Sequence, residues 1–296
     1  MKKLLILCLL ILGGCTNSNT NDKELRILSP FGAPSIALME IMLEQEHTVN
    51  LVNGADLLIS SLIKEEADYD IIIAPINIGL NLIKNDQSDY RCLAIVSWGN
   101  LYLVSDDENF DPYSQEFAAF GKGAVPEKII DFVFDKPELV NYFPSVLDVQ
   151  AQLIQNKVNA AVLAEPVASA TLIQNQELKV IVDLQELYYE KTGYHNYPQA
   201  ALFVDKTAFE ENPSLYYDVV DKMNDYVEMI STQSNALQED LNQLNHEQLG
   251  LPTAEIVSKA FESMNIDIQY SKDSLKSIEF FMNLLGIDVN QEMFLQ

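Results

Sequence analysis

Several short turns collect residue types that can hold a small molecule. Ser29-Pro30-Phe31-Gly32-Ala33-Pro34-Ser35 offers two hydroxyls, an apolar ring and a glycine that lets the backbone approach a ligand closely. Free N–H groups at a helix start in that turn can hold an oxygen or an anion. The same residues also make a plain tight turn with Ser35 as a helix cap. Asn53-Gly54-Ala55 and Pro75-Ile76-Asn77 are the equivalent turns further on. The Asn77 amide can donate and accept at a ligand, or satisfy its own backbone. Trp98, the only tryptophan, precedes Gly99-Asn100 and can stack on a planar ligand or fill core. Gly121-Lys122-Gly123-Ala124-Val125-Pro126 offers Lys122 to an anionic group, or to solvent. It lacks the glycine spacing and Lys-Ser/Thr ending of a P-loop. Glu165-Pro166 sets a carboxylate at a helix start, where the helix dipole favours it and a cationic or N–H-bearing ligand would meet it. Tyr194, His195 and Tyr197 share one more turn and form a candidate rim.

Groups for bond-breaking chemistry are not assembled in the same way. The three histidines, His47, His195 and His246, are far apart in sequence. No metal-binding His-Glu spacing, nucleophile elbow or dinucleotide fingerprint is present. Three cysteines cannot build a zinc site of paired cysteines. Cys92 lies within Cys92-Leu93-Ala94-Ile95-Val96 and reads as a buried, inert thiol. No cofactor and no metal is expected.

The elements that would position these turns follow from periodicity. Strands are expected at 25–28, 48–52, 70–74, 92–97 and 101–104, with helices at 36–44, 57–65 and 75–84 between them. A second block has helices at 126–135, 149–156 and 166–173 and strands at 159–163, 179–183 and 200–204. The run Ile71-Ile72-Ile73-Ala74 is apolar throughout, as in a sheet covered on both faces. Strands separated by such helices imply crossover units and largely parallel sheets. Four further helices are expected near 213–230, 233–245, 253–264 and 274–285, returning to pack on the first lobe. Segments 101–105 and 200–205 are expected to pass between two lobes; a single-lobed α/β fold also fits the periodicity.

The amino terminus adds an export signal. Lys2 and Lys3 precede an apolar run at 4–12, then Leu12-Gly13-Gly14-Cys15. That pattern reads as a secretory signal peptide, too short to span a bilayer. Its ending resembles a bacterial lipobox, which implies cleavage before Cys15 and a diacylglycerol on its sulfur. The polar stretch after Cys15 reads as a flexible tether. The formal charge of the chain is −26, so nucleic acid is an improbable partner.

Taken together, Asp70–Asn77, Ser97–Val104, Gly121–Pro126, Ala164–Ala168 and Tyr197–Ala200 resemble the nitrate/sulfonate/thiamine-precursor family of ABC-importer binding proteins. The resemblance covers roughly residues 25–204. It implies a type II periplasmic-binding-protein fold, two α/β lobes with a hinge and extra C-terminal helices, closing on a small organic solute. It also implies a permease and ATPase as partners and an extracytoplasmic, lipid-anchored monomer. The implied divisions are 1–14 signal peptide, 15–23 tether, 24–104 first lobe, 105–199 second lobe, and 200–296 return strand and helices. The ligand positions so implied are Ser29, Phe31, Gly32, Ala33, Asn53, Pro75, Asn77, Trp98, Asn100, Lys122, Gly123, Glu165 and Tyr197, with the lipid on Cys15. Where the family usually has Gly-Gln or Gly-Lys-Gly-Ser/Thr, this chain has Gly121-Lys122-Gly123-Ala124, which removes a hydroxyl ligand. Enzymes of thiamine-pyrimidine and menaquinone biosynthesis use related frames, but the cysteine-rich metal segment of the fungal type is missing here. A surface lipoprotein that only contacts other proteins is the third reading.

Overall fold

The computed structural model describes residues 23–135 and 137–295; residues 1–14, Cys15 and most of the expected tether lie outside them. Strands β1 (Arg26–Pro30), β2 (Thr48–Val52), β3 (Ile71–Pro75) and β4 (Tyr90–Trp98) come first. They are followed by β5 (Leu101–Ser105), β6 (Phe117–Phe120), β7 (Val140–Phe143), β8 (Ala160–Ala164) and β9 (Lys179–Asp183). The last two are β10 (Pro198–Asp205) and β11 (Ile266–Tyr270). One sheet runs β11-β4-β10-β3-β1-β2 and the other β7-β6-β8-β5-β9. β1 lies parallel to β2 and β3, while β10 runs antiparallel to β3 and β4. In the second sheet β6 is parallel to β7 and β8, and β5 is antiparallel to β8 and β9.

β3 shows why the apolar run is continuous. Successive side chains on a strand point to opposite faces. Ile71 and Ile73 join one core, and Ile72 and Ala74 join another. The C-terminal helices Pro213–Thr232, Ser234–Leu244 and Ala254–Ala260 bury Met223, Leu241 and Val257 in the first of these cores, on one face of the sheet. Helices Asp56–Leu62, Ile76–Lys84 and Leu275–Leu284 line the other face. That second core continues into the other lobe through Leu103, Phe117, Val125 and Ile129, so one apolar body spans both sheets. A separate small core of Val104, Val149, Leu153 and Leu163 lies on the far side of the second sheet.

The expected helix at 36–44 is two short helices, Ala33–Ile36 and Met39–Glu44. Residues 36–39 are fully buried, and packing outweighs helix continuity at the turn between the two pieces. The segments expected to pass between lobes, 101–105 and 200–205, belong to β5 and β10 and lie inside the sheets. The chain changes sheet just before each, at Gly99-Asn100 and at 193–197. β6, β7, β11 and helices Leu184–Thr192 and Lys206–Glu211 are additional to the elements expected.

Candidate ligand cleft and hinge

The two crossings are tied to each other by hydrogen bonds. The Gly99 N–H donates to the Tyr197 carbonyl at 3.0 Å and to Asn196 Oδ1 at 2.8 Å. The Gly99 carbonyl accepts from Asn265 Nδ2 at 2.6 Å. A Cβ at Gly99 would lie 2.3 Å from Tyr197 Cζ, so only glycine permits this approach. Gln185, at the start of helix Leu184–Thr192, accepts from the Leu101 N–H at 2.9 Å and donates to the Leu101 carbonyl at 3.1 Å. Its Oε1 also accepts from the Tyr197 hydroxyl at 2.7 Å. Asn100 donates to the Met264 carbonyl at 3.4 Å and accepts from Gln199 Nε2 at 3.1 Å.

Beyond the hinge, the loops at the carboxyl ends of the strands meet, the position where open α/β sheets bind ligands. Asn77, just after β3, donates from Nδ2 to the Gly123 carbonyl, just after β6, at 2.9 Å. Gly123 holds φ at 81°, a left-handed conformation that favours glycine. Its N–H donates to Glu127 Oε2 at 2.9 Å. The lobes also touch where the Tyr102 hydroxyl donates to the Ser263 carbonyl at 3.3 Å. Burial pushes the Tyr102 hydroxyl up to about 12, helped by Asp183 and Glu165, so it is a donor near neutral pH.

Each expected position has a definite place. Asn77 meets Gly123 across the lobes at 2.9 Å, and separately the Glu165 N–H donates to the Asn100 carbonyl at 3.1 Å. Glu165 is buried; its carboxylate accepts from the Ser169 N–H at 3.0 Å and the Ser169 hydroxyl at 2.9 Å. Burial raises its pKa above the ordinary 4.5, and the Ser169 bonds partly oppose the rise. Lys122 is exposed and forms no ion pair among the described residues. Asn53 is exposed, and Pro75 is the half-buried cap of helix Ile76–Lys84.

Three expectations are corrected. The N–H groups of the turn and helix start are largely engaged: Phe31, Gly32 and Ser35 donate to the Val52, Leu249 and Gly32 carbonyls at 2.9, 3.1 and 3.0 Å, and Pro34 has no N–H. Ser35 is not a side-chain cap; its hydroxyl donates to the Gly32 carbonyl at 2.8 Å, and Ser29 and Ala33 are buried beside that turn. The Phe31 ring packs at Gly250 and walls a surface groove of about 320 Å³ with Met42, Leu51 and Leu244. Tyr197 is fully buried against Tyr188 and Phe281, so it is a hinge anchor and not a rim residue. Trp98 is buried, its indole N–H donating to the Asp267 carbonyl at 3.1 Å, and its edge lines a surface pocket of about 300 Å³ together with Tyr194, His195 and Asn196. His195 stacks on Tyr189 with ring centroids 4.4 Å apart, and Tyr194 stacks on Phe280 at 4.3 Å. Cys92 is buried, and burial pushes its thiol pKa well up.

Gln185 and Gln199 were not among the expected site residues. Gln199 is the extra residue of a bulge between Pro198 and Ala200 where β10 pairs with β4, a register shift that strand alternation in the sequence does not reveal. Gln185 follows Asp183, whose carboxylate caps the helix through the Gln185 and Glu186 N–H groups.

No protein-family model matches the sequence, and no curated protein matches it. Solved structures do. An ABC transporter protein from Parabacteroides distasonis superposes with a TM-score of 0.76 at 20% identity, over 93% of this chain and 99% of that one. The periplasmic aliphatic sulphonate binding protein SsuA from Escherichia coli gives 0.65 at 13% identity, over 89% and 86%. The ligand binding component of an ABC-type import system from Staphylococcus aureus gives 0.64 at 12% identity, over 93% and 97%. At these identities the likeness speaks to architecture: the chain, with its two sheets, has the type II periplasmic-binding-protein fold, two α/β lobes on a hinge with extra C-terminal helices.

Proposed function

We propose that the protein is the extracytoplasmic solute-binding component of an ABC importer. It captures a small organic solute between its lobes and presents the closed form to the permease and ATPase. The observation that carries this reading is the meeting of strand-end loops from two lobes, with Asn77 of one bonded to Gly123 of the other at 2.9 Å. Binding of this kind needs no catalytic group. A solute that touches both lobes favours the closed state by the difference between its contacts in the closed and open states. The positions this reading assigns to the solute are Asn77, Gly123, Lys122 and Glu165, with Asn53 and Pro75 at the outer edge. Cys15 is the lipid attachment point, where two acyl chains give stable anchoring, and the protein acts as a monomer.

A thermal-shift screen over pyrimidines, thiamine precursors, sulfonates, nitrate and amino acids tests the function. A bound solute at 100 times its Kd adds about 2.7 kcal/mol of stability. A saturable shift for one class supports the receptor. A flat panel, combined with tight association with another exported protein, contradicts it. For the anchor, Cys15→Ser should abolish incorporation of labelled palmitate and release the protein from the membrane; unchanged labelling refutes that assignment.

A further inference from the structure

Two amide oxygens near the hinge are acceptors with no donor among the described residues. Asn77 is 4% exposed, and its Oδ1 is buried without a hydrogen-bond partner. Its orientation is fixed, because only the amide nitrogen can donate to the Gly123 carbonyl. Gln199 repeats the pattern through a relay. The Met264 carbonyl takes the Asn100 amide nitrogen, so Asn100 Oδ1 faces Gln199 Nε2. Gln199 Oε1 is then left buried and without a donor. Main-chain carbonyls therefore set both amides with an oxygen outstanding.

The fold brings the two amides to one place. Ala200 pairs with Pro75, so Gln199 and Asn77 occupy the same end of the β3–β10 pair. Glu165 reaches the same junction, its N–H donating to the Asn100 carbonyl at 3.1 Å. Among the described residues its buried carboxylate accepts only from Ser169, which leaves lone pairs open. Both arginines are engaged elsewhere: Arg26 with Asp70 and the Ala67 carbonyl, and Arg91 with the Ser88 and Tyr90 carbonyls. Among the residues named at the junction, Lys122 alone is cationic, and it is exposed.

We infer that the solute presents N–H donors to Asn77 Oδ1 and Gln199 Oε1, and is a neutral or cationic nitrogen compound and not an oxyanion. This rests on the receptor reading above. An oxyanion would set further acceptors against two buried acceptors and a carboxylate, leaving each of them desolvated and unpaired. A nitrogen compound pairs the same groups, and a cationic one also offsets the Glu165 charge.

The test uses the purified protein with two arms of probes: cytosine, acetamidinium and agmatine against nitrate, sulfate and ethanesulfonate. At least one N–H probe should raise Tm saturably, and the oxyanions should not. Gln199→Met, which deletes the acceptor, should weaken that probe about tenfold. Gln199→Glu, which keeps acceptor oxygens but gives up the donor to Asn100 Oδ1, should bind a cationic probe more tightly than Gln199→Met does. A saturable shift with an oxyanion, no shift with any N–H probe, or unchanged affinity in Gln199→Met overturns the inference. If Gln199→Met does not fold, Asn77→Leu with the same probe decides by the same criterion. Compaction of the protein by an oxyanion would remove this inference and leave the receptor reading standing. A probe that binds without compaction would remove the receptor reading.

Discussion

The hinge and the cleft loops use the same residue types to opposite ends. At the hinge, Gln185 satisfies both polar groups of Leu101 and the Tyr197 hydroxyl, and Asn265 and Asn196 close on Gly99. At the cleft, Asn77 spends one half of its amide on Gly123 and keeps the other half unpaired. A paired polar network fixes one geometry, whereas a half-paired one is an open demand for a partner. Stability should therefore reside in the Gln185 and Gly99 network, and recognition in the half-paired amides of Asn77 and Gln199.

The largest effect should follow from breaking the hinge network. Gln185→Leu leaves the Leu101 N–H, the Leu101 carbonyl and the Tyr197 hydroxyl without partners and should cost about 4 kcal/mol in urea unfolding. Gly99→Ala forces a methyl against the immobile Tyr197 ring and should cost about 3 kcal/mol in the same measurement. Asn77→Ala should sharpen the contrast. It removes one cross-lobe bond together with an unpaired acceptor, so stability should change by less than about 1 kcal/mol while solute affinity falls at least tenfold. A large loss of stability in Asn77→Ala would erase the distinction between the two regions.

Glu165 predicts a smaller, pH-dependent effect. Burial raises its folded pKa above 4.5, so the folded state holds the proton more tightly than the unfolded chain. Its contribution is then most favourable below 4.5 and is lost as pH rises through the folded pKa. Glu165→Gln should remove that part of the slope, read as Tm against pH; an unchanged slope contradicts the burial argument. Lys122→Ala should be the mildest change, within about 0.5 kcal/mol, since the side chain is exposed.

Much of the frame was legible because burial writes itself into period. Ile71–Pro75 and helix Ile76–Lys84 lie within a residue of their expected places, since a strand covered on both faces must be apolar throughout. β6 was missed because Phe117-Ala118-Ala119-Phe120 is too short to show a period. Helix Leu184–Thr192 was missed although its end signals were present: Asp183 caps it, and Gly193 takes the left-handed turn that closes it. The site was harder to read. Tyr197 and Asn77 both stand in turns beside strand ends, and sequence gives each the same capacity for a ligand. Only the packing of Phe281 and Tyr188 around Tyr197, and the carbonyl of Gly123 at Asn77, separates anchor from recognition residue.

The central claim is that a solute draws the two lobes together. Small-angle scattering of the protein, alone and saturated with the solute found in the thermal-shift screen, tests it most directly. The account predicts a larger radius of gyration for the protein alone and, with solute, the profile of the structure in which Asn77 meets Gly123. Identical profiles with a solute demonstrably bound would contradict it.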